Sequence, residues 1–235
     1  MSAASLREAL KRVAPWLPVA AALLVSFGLG LYRLGYQAAL GDDAFSLLIA
    51  GRDLGELLRL SASEPHPPVF YVLLWGWVRL AGDGEFAGRF VAVWWAVLSV
   101  ALVYRLGRAA VSRSAGAWAA ALLAINPFFV AYSQQARMYT MAIALGLASM
   151  YFAFRLLPGR RGGSMTSGAL GYLAATILAV TTHFFALFLV AGQNILFVFL
   201  ALYRRDARGL PRWLGLQALW CLAYLPWITI AALTG

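Results

Sequence analysis

Long apolar stretches dominate this sequence and limit what the chain can fold into. A helix rises ~1.5 Å per residue, so roughly 20 apolar residues are needed to cross the ~30 Å hydrocarbon core of a bilayer. The stretches that approach or reach this length are residues 15–32, 86–104, 115–131, 138–155, 168–182, 184–202 and 213–232. Only 12% of the residues are charged, whereas a soluble domain carries roughly 25%. The sequence predicts an all-α polytopic membrane protein, a single module over residues 1–235 with about seven transmembrane helices.

The run Val69–Ala81 decides the orientation of the chain. Its 13 residues make only ~20 Å of helix, which is too short to span comfortably. If this run does not cross, most of the 19 Lys and Arg residues lie on the same side as the N-terminus, and the positive-inside rule makes that side cytoplasmic. If it does cross, the basic loops face the opposite side from the basic N-terminus. We therefore predict a multi-pass cell-membrane protein with a cytoplasmic N-terminus, in which Val69–Ala81 lies in the outer interface and Arg79 reaches the headgroups. The net charge of +10 then belongs to short loops, and no nucleic-acid partner is expected.

All but two of the nine acidic residues fall in one outer loop, residues 35–85. The stretch DDAFSLLIAGRDLGELLRL within it predicts two short surface helices broken at Gly51. Asp53 and Glu56 have the spacing of a capping box. The loop is expected to carry juxtamembrane helices on the outer surface.

Asp42 and Asp43 are the first candidates for chemistry. Adjacent carboxylates near a low-dielectric surface suit a general base or a cation site, because burial and mutual repulsion tune their proton affinity. The alternative is a helix N-cap, in which an aspartate accepts free backbone N–H groups. Nearby, the prolines of EPHPP stiffen the backbone around Glu64 and His66. That segment is either a rigid start for the interfacial helix or, with Asp43, a set of ligands for a divalent cation.

The turn YSQQARMY is the second candidate region. Arg137 either extends to the headgroups or binds an anionic lipid headgroup through its planar guanidinium. Hydrogen-bonding side chains for a polar ligand surround it: Tyr132, Gln134, Gln135 and Tyr139. Arg89, which opens the second span, and His183, in the next outer turn, lie at the same predicted level. These residues predict a site for a lipid phosphate or another polar substrate at the outer interface, without defining a reaction.

Five pieces of this sequence, in this order, resemble the GT-C superfamily of integral-membrane glycosyltransferases. They are GDDAF, HPPVFYVLLWGWVRLAGDGEFAGRF, YRLGRAAVSRSAGAWAAALLAINPF, YSQQARMYTM and TTHFFALF. The sequence is most similar to bacterial family 39 members, relatives of the protein O-mannosyltransferases and aminoarabinose transferases. The resemblance extends over nearly the whole chain.

This resemblance implies a cell-envelope enzyme that transfers a sugar from a polyprenyl-phosphate-linked donor to an acceptor glycan, lipid or protein on the extracytoplasmic side. It implies Asp42 as the general base, with Asp43 assisting or binding a cation. Arg137 and Arg89 are then expected to stabilise the leaving phosphate, with His66 and His183 as hydrogen-bond donors or cation ligands.

The chain departs from the family pattern in two respects. Gln135 stands where the family often has Glu, and family members usually continue for several more spans. We therefore expect the C-terminal part of the family to be absent here, or to be supplied by a partner chain. Two alternatives to an active transferase remain at this stage: a non-catalytic membrane subunit that keeps the fold, and a transporter for a lipid-linked sugar. Ionisable residues avoid the centres of the spans, which argues against a transporter.

Overall fold

In the computed structural model, the described part of the chain comprises residue 8 and residues 13–36, 38–62, 66–157 and 165–234. A single 3₁₀ turn, Ala14–Trp16, leads into the first helix. The helices are α1 (Leu17–Leu31), α2 (Asp42–Ala50), α3 (Leu54–Ala62), α4 (Val69–Ala81), α5 (Glu85–Ala110), α6 (Arg113–Ala124), α7 (Pro127–Ser133), α8 (Tyr139–Leu156), α9 (Met165–Val180), α10 (Ala186–Tyr203) and α11 (Leu210–Thr234). The described residues form no strand, which confirms the all-helical class.

Five of these helices are long and apolar enough to cross a membrane, counting the first together with its 3₁₀ turn. They are Ala14–Leu31, Glu85–Ala110, Tyr139–Leu156, Ala186–Tyr203 and the Leu210–Ile230 part of α11. A sixth span is formed if α6 and α7 together count as one. The helix α9 covers the remaining predicted span but is shorter than this length criterion. The described residues therefore confirm a polytopic membrane protein, while the count of seven spans stays a prediction.

The predicted span 115–131 is not one straight helix. Its two parts, α6 and α7, meet at an angle of 64°. Pro127 opens α7 and Asn126 caps it by accepting a hydrogen bond from the Phe129 amide at 3.0 Å. Proline disfavours helical geometry in the residue before it and has no amide for the preceding helix. The break brings the turn 134–138 over the end of the bundle.

The helices α5 and α8 lie at the centre of the bundle. Two glycines allow α5 and α6 to approach each other closely. A Cβ on Gly116 would lie 2.5 Å from the Tyr104 carbonyl oxygen and 2.8 Å from the Arg108 amide nitrogen, and a Cβ on Gly107 would lie 2.8 Å from the Gly116 Cα. Small residues at such crossings are typical of helix pairs in membranes.

The helix α4 forms over the predicted residues and is built firmly into the protein. Phe70, Tyr71 and Leu74 are fully buried. Arg79 is exposed and contacts the end of α2, and its contact with headgroups stays a prediction. Its guanidinium donates hydrogen bonds to the Ala50 carbonyl at 3.0 Å and the Arg52 carbonyl at 2.6 Å, because these carbonyls end α2 without a helical partner. Whether α4 lies in the bilayer interface stays a prediction.

A continuous set of hydrogen bonds joins α8, α9, α10 and α11 inside the bundle. Gln193 donates to Ser149 at 2.9 Å, and Ser149 and Thr176 lie 2.8 Å apart. Tyr172 shares hydrogen bonds with Gln193 and Gln217. Buried polar groups require partners in a bilayer, so this polar seam holds the later helices to the centre of the bundle.

Candidate active site

Asp42 and Asp43 open α2 but have different surroundings. Gly41, at φ +56°, makes the sharp turn that precedes them and occupies the N-cap position. Neither aspartate caps the helix through its side chain, so the capping alternative does not apply. Successive helical residues point about 100° apart because an α-helix has 3.6 residues per turn. The Asp42 side chain is 75% exposed, whereas Asp43 is buried.

Asp43 forms a buried ion pair with Arg89. The Arg89 Nε and Nη2 donate to Asp43 Oδ2 at 2.9 and 2.6 Å. Asp43 Oδ1 accepts a hydrogen bond from the Ala136 amide. Arg89 also donates to the Leu34 carbonyl at 3.0 Å and lies 3.6 Å from the Glu85 carboxylate. The pair therefore joins four segments: the end of α1, the start of α2, the start of α5 and the turn before α8.

Arg137 is buried beside the exposed aspartate. Its Nη2 lies 3.4 Å from Asp42 Oδ2, and its Nη1 contacts Tyr71 Oη at 3.3 Å and Ser46 Oγ at 3.4 Å. The buried Nε has no hydrogen-bond partner among the described residues. The partners of the two Arg137 Nη atoms all lie farther away than the 2.7–2.9 Å typical of charge-assisted hydrogen bonds. This guanidinium therefore retains the capacity to bind an anion.

A polar cavity of about 540 Å³ lies at this end of the bundle. It includes five of the predicted site residues: Asp42, Asp43, Arg89, Gln134 and Gln135. The remaining lining residues are Tyr32, Arg33, Leu34, Tyr36, Ala38 and Leu40. We call this space the aspartate cavity.

Residues that follow the first span form a wall of the aspartate cavity that the sequence did not reveal. The Arg33 guanidinium carbon lies 3.9 Å from the centre of the Tyr36 ring. The segment LYRLGY carries aromatic and basic residues at a helix end, which was the available signal. Gln134 secures this wall, because its amide nitrogen donates to the Leu29 and Tyr32 carbonyls at 2.8 and 2.9 Å. Gln135 contributes a half-buried side chain to the lining of the same cavity.

The two histidines of the chain meet each other, although 117 positions separate them. Their ring centres lie 4.9 Å apart, and the Phe184 ring stacks on both. Burial lowers the pKa of His183 from 6.5 to about 4, and the nearby His66 and Arg137 act in the same direction. His183 Nδ1 accepts a hydrogen bond from the Phe185 amide at 3.2 Å, so its ring orientation is fixed. His183 is therefore a neutral imidazole at physiological pH.

His183 lies at a second, largely apolar opening of about 610 Å³. Tyr132, Tyr139 and His183 provide its polar residues, and the rest of the lining is Leu106, Ala142, Ile143, Gly146, Leu147, Met150, Phe185, Ala186 and Leu189. We call it the α8 groove. The Arg137 guanidinium carbon lies 5.8 Å from the centre of the Tyr139 ring. Arg137 lines neither opening, but it contacts Asp42 of the aspartate cavity and lies beside Tyr139 of the α8 groove.

The predicted cation site is not assembled by the described residues. They contain no group of three or more His, Cys, Asp or Glu residues that could hold a metal ion. Both oxygens of Asp43 accept hydrogen bonds from protein groups. Glu64, the third predicted ligand, lies outside the described residues. Binding of a divalent cation stays a prediction, and no chemical step below depends on it.

A helical membrane bundle with a carboxylate and a buried guanidinium at one end, between a polar cavity and an apolar groove, is suited to chemistry on a lipid-linked substrate. Residues 65–170, which make up less than half of the chain, match the family described as dolichyl-phosphate-mannose-protein mannosyltransferase. The match supports a place in the GT-C superfamily of membrane glycosyltransferases. No curated protein and no solved structure matches the chain. The matched stretch contains His66, Arg89 and the turn with Arg137, whereas the two aspartates precede it.

Proposed function

We propose that this protein is a glycosyltransferase that moves a sugar from a polyprenyl-phosphate donor to an acceptor on the extracytoplasmic side of the cell membrane. One observation carries the proposal: the exposed Asp42 carboxylate lies 3.4 Å from the buried Arg137 guanidinium, at the point where the aspartate cavity and the α8 groove approach each other. A base and an anion-binding cation are thereby available next to each other at one site.

The two openings suit different substrates. The α8 groove is apolar along most of its length, so it matches the hydrocarbon chain of the donor. Its polar end, with Tyr132, Tyr139, His183 and the neighbouring Arg137, suits the donor phosphate. The aspartate cavity is polar and carries Tyr32 and Tyr36 in its wall. It is suited to the acceptor, whose hydroxyl must reach Asp42.

The reaction follows from this arrangement. An Asp42 oxygen takes the proton of the acceptor hydroxyl, and the acceptor oxygen forms a bond to the anomeric carbon. The bond between that carbon and the phosphate oxygen breaks with both electrons staying on the oxygen, and polyprenyl phosphate leaves. A single displacement inverts the configuration at the anomeric carbon. Arg137 stabilises the charge that develops on the leaving phosphate, and its buried position strengthens that effect.

Asp43 and Arg89 act through position in this mechanism. Their charges compensate each other, and their hydrogen bonds fix α2 against the turn that carries Arg137. They keep Asp42 and Arg137 at their observed separation. This differs from the expectation that Arg89 stabilises the leaving group and that Asp43 binds a cation.

The transfer assay uses purified protein in vesicles, a radiolabelled polyprenyl-phosphate sugar and a membrane extract as the pool of acceptors. Asp42→Asn is expected to lower transfer about 10²–10⁴-fold, the usual contribution of a general base. Asp83→Asn is the matched control, because Asp83 is an exposed carboxylate between α4 and α5. Transfer that is unchanged in Asp42→Asn rejects this base. Absence of transfer by the wild type with every donor tested favours a non-catalytic subunit, and movement of intact donor across the vesicle membrane favours a transporter.

The sidedness has its own test. In a Cys221→Ala background, Asp83→Cys is expected to react with an impermeant thiol reagent added outside intact cells, whereas Arg205→Cys is expected to react only after lysis. Both side chains are exposed. The opposite pattern rejects the extracytoplasmic location of the aspartate cavity.

A further inference from the structure

The end of the bundle opposite the aspartate cavity carries a group of four arginines. Arg105 and Arg108 lie in the last turns of α5, Arg113 opens α6, and Arg155 lies in the last turn of α8. Arg105 and Arg108 are three residues apart and therefore share one face of α5. Three of these side chains are exposed and Arg155 is half-buried. We call these four residues the arginine arc.

The guanidiniums of the arginine arc are positioned on two aromatic rings. Those of Arg105 and Arg155 lie 5.3 and 5.9 Å from the centre of the Tyr151 ring. Those of Arg108 and Arg113 lie 5.9 and 4.8 Å from the centre of the Trp16 ring. Each ring thus gathers two like charges from different helices. Cation–π contact orients a guanidinium while leaving N–H groups on its edge available to an anion.

No described carboxylate compensates these charges, since none of the four arginines forms an ion pair with a described residue. Two acidic residues belong to this side of the sequence. Asp206 accepts a hydrogen bond from the Arg208 amide, and Glu8, near Trp16 in the sequence, forms no ion pair with any of the four arginines. Two pairs of neighbouring guanidiniums without carboxylates repel each other, and a shared anion removes that repulsion.

A buried hydroxyl adds an independent observation. Tyr104 is 4% exposed, and its hydroxyl has no hydrogen-bond partner among the described residues. Its ring centre lies 6.4 Å from that of Trp16, the ring that carries Arg108 and Arg113. A buried hydroxyl normally finds a partner, so this unsatisfied donor, next to the ring that carries two guanidiniums, can donate to a ligand with acceptor oxygens.

The α8 groove supplies the apolar part of such a ligand. Leu106 and Met150 belong to its lining, and each directly neighbours a member of the Tyr151 cluster, Arg105 or Tyr151. This end of the bundle therefore offers apolar side chains for a hydrocarbon chain and guanidiniums for a phosphate. Trp16 itself is 48% exposed, and tryptophan favours the level of lipid headgroups.

We propose that the arginine arc binds the headgroup phosphate of an anionic phospholipid in the leaflet on this side of the membrane. The lipid phosphate lies between paired guanidiniums, and an acyl chain packs against the apolar residues next to Arg105 and Tyr151. The arginines that bind the phosphate lie at the other end of the bundle from the site of sugar transfer, and phosphate binding there does not depend on the proposed reaction. The acyl chain shares the α8 groove with the hydrocarbon chain of the donor. Orientation by positive charge alone requires arginines at this end, but it does not require two of them on each aromatic ring.

Native mass spectrometry of purified protein titrated with phosphatidylglycerol tests the proposal, with phosphatidylcholine as the neutral comparison. Each arginine that lies next to the lipid phosphate contributes roughly fivefold to the affinity for an anionic lipid, and this contribution falls off within a Debye length. The Arg105→Gln/Arg155→Gln variant is therefore expected to bind phosphatidylglycerol about 30-fold more weakly. The matched control, Arg205→Gln/Arg208→Gln, removes the same charge from the same end of the bundle and is expected to change the affinity less than about threefold.

A third variant separates geometry from charge. Tyr151→Leu retains all four arginines but removes one ring, and it is expected to weaken phosphatidylglycerol binding about fivefold. It also serves as the test if the double arginine variant fails to fold. The proposal is overturned if the wild type binds both lipids equally, if the control variant loses as much affinity as the arc variant, or if Tyr151→Leu binds as the wild type does.

Discussion

We expect Asp43 to contribute mainly to stability and Asp42 mainly to catalysis, and replacing each by asparagine measures this difference. Asp43→Asn keeps the shape of the side chain but removes its charge. The new amide either presents a donor to the Arg89 donors or withdraws its acceptor from the Ala136 amide. In both cases the Arg89 guanidinium, whose side chain is only 6% exposed, is left without its buried counter-ion.

The magnitude follows from that burial. Removing one partner of a buried ion pair costs about 3–5 kcal/mol. In Asp43→Asn the desolvated Arg89 charge keeps only the partly exposed Glu85 carboxylate, at 3.6 Å, as an ionic partner. For a protein of this size, 1 kcal/mol corresponds to roughly 2–4 °C in Tm. Asp43→Asn is therefore expected to lower Tm by about 6–20 °C. Asp42→Asn is expected to lower Tm less than Asp43→Asn, because Asp42 is 75% exposed and lies 3.4 Å from the buried Arg137, so that solvent weakens this pair.

Thermal unfolding in detergent, followed by intrinsic tryptophan fluorescence, provides the measurement. The Asp43→Asn/Arg89→Met variant completes a double-mutant cycle and is expected to be more stable than the sum of the single losses implies, since it leaves no uncompensated charge. Equal Tm values for Asp42→Asn and Asp43→Asn would refute the division of roles between the two residues. Additive losses in the cycle would refute the ion pair as the source of the effect.

Three further outcomes follow from the structure. The pKa of His183 is about 4 in the folded protein against 6.5 ordinarily, so the unfolded chain takes up a proton first as pH falls. Stability that is complete above pH 6.5 is then expected to decrease by up to about 3 kcal/mol as pH approaches 4, and Tm measured at pH 7.5 and 4.5 should show a smaller decrease in His183→Gln. Gln134→Ala removes two hydrogen bonds to the end of α1 and is expected to cost about 1–3 kcal/mol, with Gln135→Ala as the thermal control. Gly116→Ala places a methyl group against the backbone of α5 and is expected to lower the free energy of unfolding by about 1–3 kcal/mol, whereas Gly192→Ala, with open space around it, should not be destabilising.

The sequence was sufficient to predict the helices that are bounded by glycine, proline or a capping residue. The bounds of α2, α3 and α4 follow from Gly51, from the capping aspartate Asp53 and from the prolines before Val69, since each has a local physical effect. Asp53 Oδ1 accepts the Glu56 amide at 3.0 Å, as the capping pattern predicts. The bend at Pro127 was missed, although the same principle applies to it, because the apolar run continues through the proline and hides the break.

The convergence of Asp42, Arg89 and Arg137 was predictable from topology. Short loops return the chain to the same side, and polar residues at the ends of spans then meet. Which aspartate is buried depends on how α2 is rotated against α5, and that rotation is set by packing between residues that are 46 positions apart. The histidines were expected at the same site as the aspartates, but His183 belongs to the α8 groove.

The polar seam could not be predicted from the sequence, for a related reason. Ser149, Thr176 and Gln193 are single polar residues within apolar runs, and hydropathy averages such residues away. Their hydrogen bonds depend on the rotation of three helices about their own axes, which composition does not encode. Only the assembled bundle shows that these side chains face each other.

The Asp43–Arg89 pair also constrains the order in which the chain can mature. During synthesis, Asp43 is made 46 residues before its ionic partner Arg89. Ala136, which donates to the second oxygen of Asp43, follows Asp43 by 93 residues. The carboxylate must therefore remain hydrated through the insertion of α4 and α5. The contact between Asp43 and the turn before α8 therefore forms late in biogenesis. It requires that α6 and α7 have already returned the chain to the side on which Asp43 lies.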